Sequence, residues 1–310
     1  MLHGATGKEL PVIYTVTLNP ALDYLLWAPP IREGRTNRSE REEIHFGGKG
    51  INVSLVLRAL GQETCALGFV GGFTGEALKA ALEKEGVLCR FVALEGGMTR
   101  INVKLKTDVE TEINARGPEV SSRELEALLA EIDQIGAGDT LVLAGSVPGT
   151  LPGDVYCRIL DRLSGKDVRV AVDAEGDVLR NTLRYRPFLI KPNRDELSLL
   201  AGRELRGEKE ILAAAKDLQG RGARNVLVSL GGEGAILLAE DGKVHTARPH
   251  AIVPVNTVGA GDSMVAGFLA GCDRGPEYAL RLGNAAGAAC ASALHLAQKE
   301  DVFRLLGEDT

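Results

Sequence analysis

Residues 140–174 read TLVLAGSVPGTLPGDVYCRILDRLSGKDVRVAVDA and contain two apolar, β-branched runs with a helical run between them. The runs at 140–145 and 168–174 predict buried strands, and the stretch near 153–163 has the apolar spacing of an amphipathic helix. Two buried strands joined through a helix are typical of a parallel βαβ unit. The stretch therefore predicts an α/β fold built on a parallel sheet.

The same rhythm extends along the chain in both directions. Further strands are predicted at 12–18, 64–71, 187–193 and 225–232. Further helices are predicted at 51–61, 75–86, 122–134, 194–200, 208–219, 260–272 and 276–297. This order predicts one domain over residues 1–310, with a mostly parallel central sheet covered by helices on both faces.

Two segments interrupt the rhythm, at about 22–46 and 98–116. Both alternate apolar and polar residues and are rich in β-branched side chains, with no helix between their strands. We interpret them as a small antiparallel sheet outside the main layer, forming a lid. Its apolar residues Leu25, Leu26 and Trp27 are compatible with a homodimer through the lid, because exposed sheet edges need cover, and a monomer is the alternative.

Composition narrows the class of protein. The chain has 310 residues, 45% of them apolar and 25% charged, with a net charge of −6. The acidic balance disfavours a nucleic-acid partner. No apolar run reaches the ~18 residues of a membrane span, and residues 1–10 lack a signal-peptide pattern. Five scattered cysteines favour reduced thiols in a cytoplasmic protein.

The tetrapeptide GAGD occurs twice, at 136–139 and 259–262. The first copy precedes the strand at 140–145, so it lies at the amino end of that strand. Ligands collect at the carboxyl ends of parallel strands, and the first copy is therefore interpreted as a structural turn. The second copy begins a helix, where the amides of Gly259, Ala260 and Gly261 form an anion site. Asp262 is either a base beside that site or an ordinary N-cap.

A second glycine-rich stretch, FGGKGIN at 46–52, lies between an extended segment and a helix. It matches neither a dinucleotide fingerprint nor a P-loop. Gly48 and its neighbours allow a polar ligand to approach the backbone, Asn52 offers hydrogen bonds to sugar hydroxyls, and Lys49 adds positive charge. The alternative is a tight strand-to-helix turn.

Six pieces of sequence then occur in a recognisable order: TVTLNPALD (15–23), GGKGIN (47–52), AGSVPG (144–149), KPNRDEL (191–197), VSLGGEGA (228–235) and NTVGAGDSMVAGF (256–268). Together they resemble the PfkB (ribokinase-like) carbohydrate kinases, in particular the branch that phosphorylates sugar phosphates. The resemblance implies a ribokinase-like three-layer α/β/α fold, with ATP and Mg²⁺ as cofactors. It implies a ketohexose phosphate as substrate, with fructose 1-phosphate favoured and tagatose 6-phosphate as the alternative.

The resemblance also implies roles for individual residues. Asp262 matches the catalytic base, and Gly259, Ala260 and Gly261 match the anion hole. Residues that match the substrate site are Asp23, Gly48, Asn52, Arg100 and Ser146. Residues that match the nucleotide site are Lys191, Asn193, Ser229, Gly231, Gly232, Gly234, Thr257 and Asn284. Asn193 and Glu196 match a motif linked to Mg²⁺, through water.

The positive charges in and near the lid segments favour a negatively charged substrate. A sugar phosphate is a dianion, and Arg35, Arg38, Lys49 and Arg100 flank the predicted sugar site as a phosphate clamp. Two other functions remain open at this point: a kinase of an unphosphorylated sugar or nucleoside, and a non-catalytic ligand-binding protein on the same fold.

Overall fold

The computed structural model describes residues 11–308, so the interpretation of residues 1–10 lies outside the described residues. Its strands are β1 (Ile13–Thr17), β2 (Ala21–Trp27), β3 (Arg41–Gly47), β4 (Thr64–Val70), β5 (Leu88–Ala93), β6 (Arg100–Lys106), β7 (Thr111–Ile113), β8 (Thr140–Ala144), β9 (Arg169–Asp173), β10 (Leu189–Ile190), β11 (Asn225–Ser229), β12 (Ala235–Leu238) and β13 (Val244–Ala247). Its helices are α1 (Lys49–Ala59), α2 (Gly72–Lys84), α3 (Ser122–Asp133), α4 (Val155–Arg162), α5 (Gly176–Thr182), α6 (Arg194–Ala201), α7 (Glu208–Gly220), α8 (Ala260–Gly271), α9 (Pro276–Ala291) and α10 (Lys299–Leu306).

The central sheet has nine strands in the order β13-β12-β11-β10-β9-β8-β1-β4-β5. Strands β8 and β9 pair in parallel through α4, which confirms the βαβ unit predicted for residues 140–174. Among the described residues, the antiparallel pairings of this sheet are β11 with β12 and β12 with β13, so β12 alone runs against the other strands; the sequence analysis did not predict the β12–β13 hairpin. The central sheet is therefore mostly parallel, as expected.

Alternating residues of the strands supply two cores, one on each face of the sheet. In β8, Leu141 and Leu143 join one buried cluster, while Val142 and Ala144 join the other. The first cluster includes residues of α3, α4, α5, α6 and α7. Residues of α1, α8, α9 and α10 build the second cluster, and α2 packs beside α1 on β4. This arrangement confirms the three-layer α/β/α fold.

The lid sheet consists of β2, β3, β6 and β7, in the order β3-β2-β6-β7. Its two outer pairings, β2 with β3 and β6 with β7, are antiparallel, as expected for the two segments. Its central pairing, β2 with β6, is parallel, which the sequence analysis did not anticipate. The parallel pairing arises because the two hairpins come from distant parts of the chain and join side by side.

The predicted helix at 276–297 is too long. Helix α9 ends at Ala291, and residues 292–298 form turns before α10. Tertiary packing can override helical spacing, and in this stretch Leu296 packs against Gly259, where an added Cβ atom would be 2.6 Å from the Leu296 side chain. Within residues 11–308, no helix combines the length and apolar character that crossing a membrane requires.

Candidate active site

A cavity of about 500 Å³ lies between the lid sheet and the carboxyl ends of the central strands. Strand β1 lies between β4 and β8. The strands β4 and β5 extend the sheet on one side of β1, and β8 and the later strands extend it on the other. Such a switch point in the strand order forms a ligand crevice. The predicted site residues that line the cavity are Asp23, Gly48, Lys49, Asn52, Arg100, Lys191, Asn193, Glu196, Ser229, Gly259, Gly261 and Asp262. The cavity thus brings together both glycine-rich stretches and the lid.

Asp262 lies in the first turn of α8, with its side chain turned into the protein. It is 5% exposed, and the N-cap of α8 is Gly259, which has a left-handed φ of 81°. The interpretation of Asp262 as an N-cap is therefore wrong. Its carboxylate faces the cavity instead, as expected for a base beside an anion site.

The surroundings of Asp262 tune its proton affinity. Burial, together with the negative charge of Asp173, raises the pKa of Asp262 to about 6. A hydrogen bond from Asn52 Nδ2 to Asp262 Oδ2, of 2.8 Å, and the charges of Lys49 and Lys191 act in the opposite direction. The resulting carboxylate is mostly ionised near neutral pH and is a better base than an exposed aspartate. Asn52, expected to contact sugar, thus also holds the Asp262 carboxylate.

The loop before Asp262 borders the cavity through Gly259 and Gly261. The Ala260 amide donates to the Thr257 carbonyl at 3.2 Å, so this amide is engaged in a turn. The Gly261 amide has no hydrogen-bond acceptor among residues 11–308. Lys191 Nζ lies against Gly261, where an added Cβ atom would be 3.1 Å from it. The helix N-terminus and this ammonium together provide an anion site.

Asp173 is the main residue that the sequence analysis missed. It ends β9, is 2% exposed, and neither carboxylate oxygen has a hydrogen-bond partner among the described residues. Its Oδ1 lies 3.4 Å from Lys191 Nζ and 3.7 Å from Lys49 Nζ. The available signal was its position at the carboxyl end of the predicted strand 168–174. Asp173 therefore supplies the counter-charge for both lysines.

Lys49 is electrostatically coupled to the same group of carboxylates. Burial acts to lower its pKa, but Asp173, Asp262 and other nearby carboxylates outweigh burial and raise it. Lys49 therefore stays protonated and positive beside the cavity.

Asp23 faces the cavity from the lid. Asn102 Nδ2 donates to Asp23 Oδ1 at 2.7 Å, and Lys104 Nζ lies 3.8 Å from Asp23 Oδ2. Arg100, at the beginning of the same strand as Asn102, is half-buried, and its Nε has no hydrogen-bond partner among the described residues. Burial lowers the pKa of Arg100, while the charge of Asp23 acts to raise it. A carboxylate and a guanidinium thus stand together where a sugar phosphate is expected.

Asn193 and Glu196 begin α6 as a reciprocal capping box. The Asn193 amide donates to Glu196 Oε2, and the Glu196 amide donates to Asn193 Oδ1, each at 2.8 Å. Both residues also line the cavity. Residues 11–308 contain no group of three or more His, Cys, Asp or Glu that could hold a metal ion. An isolated carboxylate beside a phosphate site suits Mg²⁺, which keeps several waters and binds substrate phosphates.

Other predicted residues do not line the cavity. Arg35 and Arg38 lie exposed in the loop 28–40, which leaves the lid sheet beyond Trp27. Trp27 is four positions along β2 from Asp23, a distance of roughly 14 Å. Neither arginine is among the residues that line the cavity.

The cavity lining also lacks the predicted residues Ser146, Gly231, Gly232, Gly234, Thr257, Ala260 and Asn284. Ser146 and Thr257 are exposed in loops, and Gly231 and Gly232 are exposed in the turn after β11. Gly234 is packed against the backbone, where a Cβ atom would be 2.1 Å from the Ala247 carbonyl oxygen. Asn284 is buried, and its Nδ2 donates to the Arg248 carbonyl at 2.8 Å, an interaction that joins α9 to a loop.

The first GAGD is structural in this chain. Asp139 Oδ1 accepts from the Val12 amide and Asp139 Oδ2 from the Gly136 amide, each at 3.0 Å. The side chain therefore fixes the turn into β8 and the entry to β1. Helix α3 ends at Asp133 with Gln134 as its C-cap, so Gly136 belongs to the turn that follows.

Comparisons with known proteins agree with this geometry. The family model described as pfkB family carbohydrate kinase matches residues 17–299. The chain is 42% identical to a 1-phosphofructokinase of Bacillus subtilis (strain 168), over 96% of this chain and 98% of that protein. It is 36% identical to a D-tagatose-1-phosphate kinase of Bacillus licheniformis, over 89% and 91%.

A solved structure shows the same fold. Phosphofructokinase-2 from Escherichia coli, in complex with substrates and products, superposes with a TM-score of 0.89 at 30% identity, covering 95% of this chain and 98% of that chain. The family model spans most of the chain, and the relatives match nearly their whole length. The chain belongs to the pfkB family of carbohydrate kinases.

Proposed function

We propose that this kinase transfers the γ-phosphoryl group of ATP to the C6 hydroxyl of fructose 1-phosphate, giving fructose 1,6-bisphosphate. The observation that carries the proposal is the buried Asp262 carboxylate beside the α8 N-terminus, in a cavity that also holds Asp23 and Arg100. Tagatose 1-phosphate is the second candidate substrate, favoured by the 36% identical relative of that name. Tagatose 6-phosphate, the alternative that the sequence motifs imply, stays a further candidate.

The chemistry follows from the site. The hydroxyl oxygen of the sugar bonds to the γ-phosphorus of ATP, and the bond from that phosphorus to the ADP oxygen breaks. Asp262 accepts the proton that the hydroxyl loses. The α8 N-terminus and Lys191 stabilise the charge on the transferred group. The Asp262 carboxylate and the anion site lie in one helix turn. They therefore hold the acceptor hydroxyl and the phosphoryl group close together in an orientation suited to reaction.

The nucleotide is proposed to occupy the half of the cavity nearer α8 and α9. Val258, Leu294 and Leu296 line this half, and Ser229 lies at the end of β11. These apolar side chains suit a base, while Lys191 suits its phosphates. Glu196 and Asn193 would hold Mg²⁺, which supplies charge neutralisation on the phosphates when bound.

Arg100 is proposed to bind the phosphate already present on the sugar. Its guanidinium is half-buried, and its Nη1 donates to the Ala115 carbonyl at 3.2 Å, which orients the group. An arginine fork matches phosphate geometry, and partial burial strengthens the pair. Arg35 and Arg38 remain predictions for the same role.

The test is turnover of a panel of acceptors with Mg-ATP: fructose 1-phosphate, tagatose 1-phosphate, fructose 6-phosphate and fructose. We expect fructose 1-phosphate to have the highest kcat/KM. In Arg100→Met, loss of a charge-assisted contact should raise KM for sugar phosphates by about 10- to 100-fold. The KM for ATP should stay within about twofold, because Arg100 lies on the lid side.

Lys106→Met is the matched control. Lys106 is on the same strand but is paired with Glu110 and is absent from the cavity lining. Replacing Lys106 should leave the KM for the sugar phosphate unchanged. Equal turnover of bare fructose and fructose 1-phosphate, with no effect of Arg100→Met, would show that the acceptor carries no phosphate.

The outer face of the lid sheet is proposed to bind a second copy of the chain. Ile44, Tyr24, Val103 and Ile113 form one row across all four lid strands. Ile44 and Ile113 are 53% and 59% exposed, although the opposite face of the lid carries the polar residues of the cavity. A contiguous apolar sheet face of this kind needs cover.

Ile44→Asp tests this interface. We expect the wild-type enzyme to have the mass of at least two chains in light scattering, and the variant the mass of one, because a buried unpaired carboxylate opposes association. Leu199→Asp is the control, since Leu199 is 75% exposed on α6, away from the lid. A monomeric wild-type enzyme, or an unchanged mass of Ile44→Asp, would contradict the proposal.

A further inference from the structure

Asp23 and Asn102 are directly opposite each other where β2 and β6 pair in parallel. Asn102 is 6% exposed, and its amide nitrogen donates to Asp23 Oδ1 at 2.7 Å. The other oxygen of Asp23 is 3.8 Å from Lys104 Nζ, and Lys104 also pairs with Glu112. The strongest contact that orients the Asp23 carboxylate is therefore the one from Asn102.

The carbonyl oxygen of Asn102 is used as well. It accepts the Ala115 amide at 3.2 Å, while the Ala115 carbonyl accepts from Arg100 Nη1, also at 3.2 Å. One peptide residue after β7 thus contacts both Asn102 and Arg100. We name residues 115–117 the brace, because they fix these two side chains from below the lid strands.

The brace is anchored by Asn19. Asn19 Nδ2 donates to the Arg116 carbonyl at 3.1 Å, and Gly117 lies so close that a Cβ atom there would be 2.3 Å from Asn19 Oδ1. Asn19 belongs to the stretch TLNPALD, two residues before β2 begins. The brace therefore ties together the start of β2 and the start of β6, the two strands that carry Asp23 and Arg100.

We propose that Asn102 is a positioning residue for the sugar phosphate, and that it fixes Asp23 directly and Arg100 through the brace. The inference rests on the proposed function, in which Asp23 holds sugar hydroxyls and Arg100 holds the sugar's phosphate. Both groups must keep one orientation, because a carboxylate free to rotate loses its alignment with the hydroxyls. The Asn102 side chain connects to both groups: its Nδ2 donates to Asp23, and its Oδ1 accepts from the Ala115 amide of the brace.

Asn102→Asp isolates the contact with Asp23. The aspartate keeps the acceptor for the Ala115 amide but, when ionised, cannot donate to Asp23 and repels it. We expect KM for the sugar phosphate to rise by about tenfold or more at pH 8, with kcat lowered less. Two facing carboxylates share a proton more readily than one carboxylate binds it alone, so the pair becomes protonated as pH falls, and the protonated pair restores the hydrogen bond. The ratio of variant to wild-type KM should therefore fall as pH is lowered from 8 to 5.5.

A double-mutant cycle provides the second measurement. Asn102→Ala should raise KM by about tenfold in the wild-type background, and by less than about threefold when Asp23 is already Ala, because both changes remove one interaction. Thermal melting of each variant identifies any that fails to fold. If Asn102→Ala fails to fold, Asn102→Asp takes its place in the cycle. Asn114→Ala, an exposed asparagine beside the brace, is the matched control and should leave KM unchanged.

The acceptor used is the panel sugar that the wild-type enzyme phosphorylates fastest. Wild-type turnover of none of the sugar phosphates would remove the proposed function and, with it, this inference. Normal turnover with additive effects of Asp23 and Asn102, and a KM ratio that does not change with pH, would overturn the inference alone. Non-additive effects with a ratio that falls toward acid pH support it.

Discussion

Asp262→Asn should lower kcat by about a thousandfold, within the range that a general base contributes. The amide keeps the shape of the side chain and its contact with Asn52, but it cannot accept the hydroxyl proton. The KM values for sugar and ATP should change by less than about threefold, since neither ligand depends on that proton for binding. Steady-state kinetics with Mg-ATP and fructose 1-phosphate measures all three values.

The chain supplies its own control for this experiment. Asp139 ends the other GAGD, and its carboxylate accepts from the amides of Val12 and Gly136. Asp139→Asn should leave kcat within about twofold, and should lower the free energy of unfolding by about 1–3 kcal/mol, because one amide loses its acceptor. Equal loss of kcat in both variants would mean that the Asp262 effect is structural.

The sequence predicts the layers of this fold well because buried parallel strands are continuous apolar runs. Residues 140–145 and 168–174 show this, and both are strands in the structure. The region after Ala291 was predicted less well, since its alanine-rich sequence has helical spacing throughout. In this stretch Leu296 packs against Gly259, a contact between residues 37 positions apart. The local sequence pattern does not reveal such a contact.

The same limit applies to the site. The Asp262 loop was found because its glycines and carboxylate are adjacent in sequence. Asp173 and Asn102 were missed, because each gains its meaning from partners on other strands: Asp173 from Lys49 and Lys191, and Asn102 from Asp23. Arg35 and Arg38 are close to Asp23 in sequence but are absent from the cavity lining, so their predicted contact with the substrate phosphate stays a prediction.

Asp173→Asn should lower the free energy of unfolding by about 3 kcal/mol or more, because removing one member of a buried ion pair leaves the other charge uncompensated. Lys191 is 5% exposed, and its ammonium is 3.4 Å from the Asp173 carboxylate. Urea titration of the variant and the wild type measures the loss. Asp177→Asn is the control: Asp177 pairs with Arg180 on the surface with its side chain 82% exposed, and such pairs contribute about 0–1 kcal/mol.

The same variant should move the pH dependence of catalysis. Asp262 acts as a base only when ionised, so kcat/KM of the wild-type enzyme should fall as pH drops through about 6, the pKa that burial and Asp173 give it. Removing the negative charge of Asp173 removes a repulsion that raises the pKa of Asp262. The acid limb of the profile in Asp173→Asn should therefore lie at lower pH, while activity at pH 7 falls because the carboxylate is a weaker base. An acid limb that stays in place, with unfolding unchanged, would show that Asp173 neither holds the lysines nor tunes Asp262.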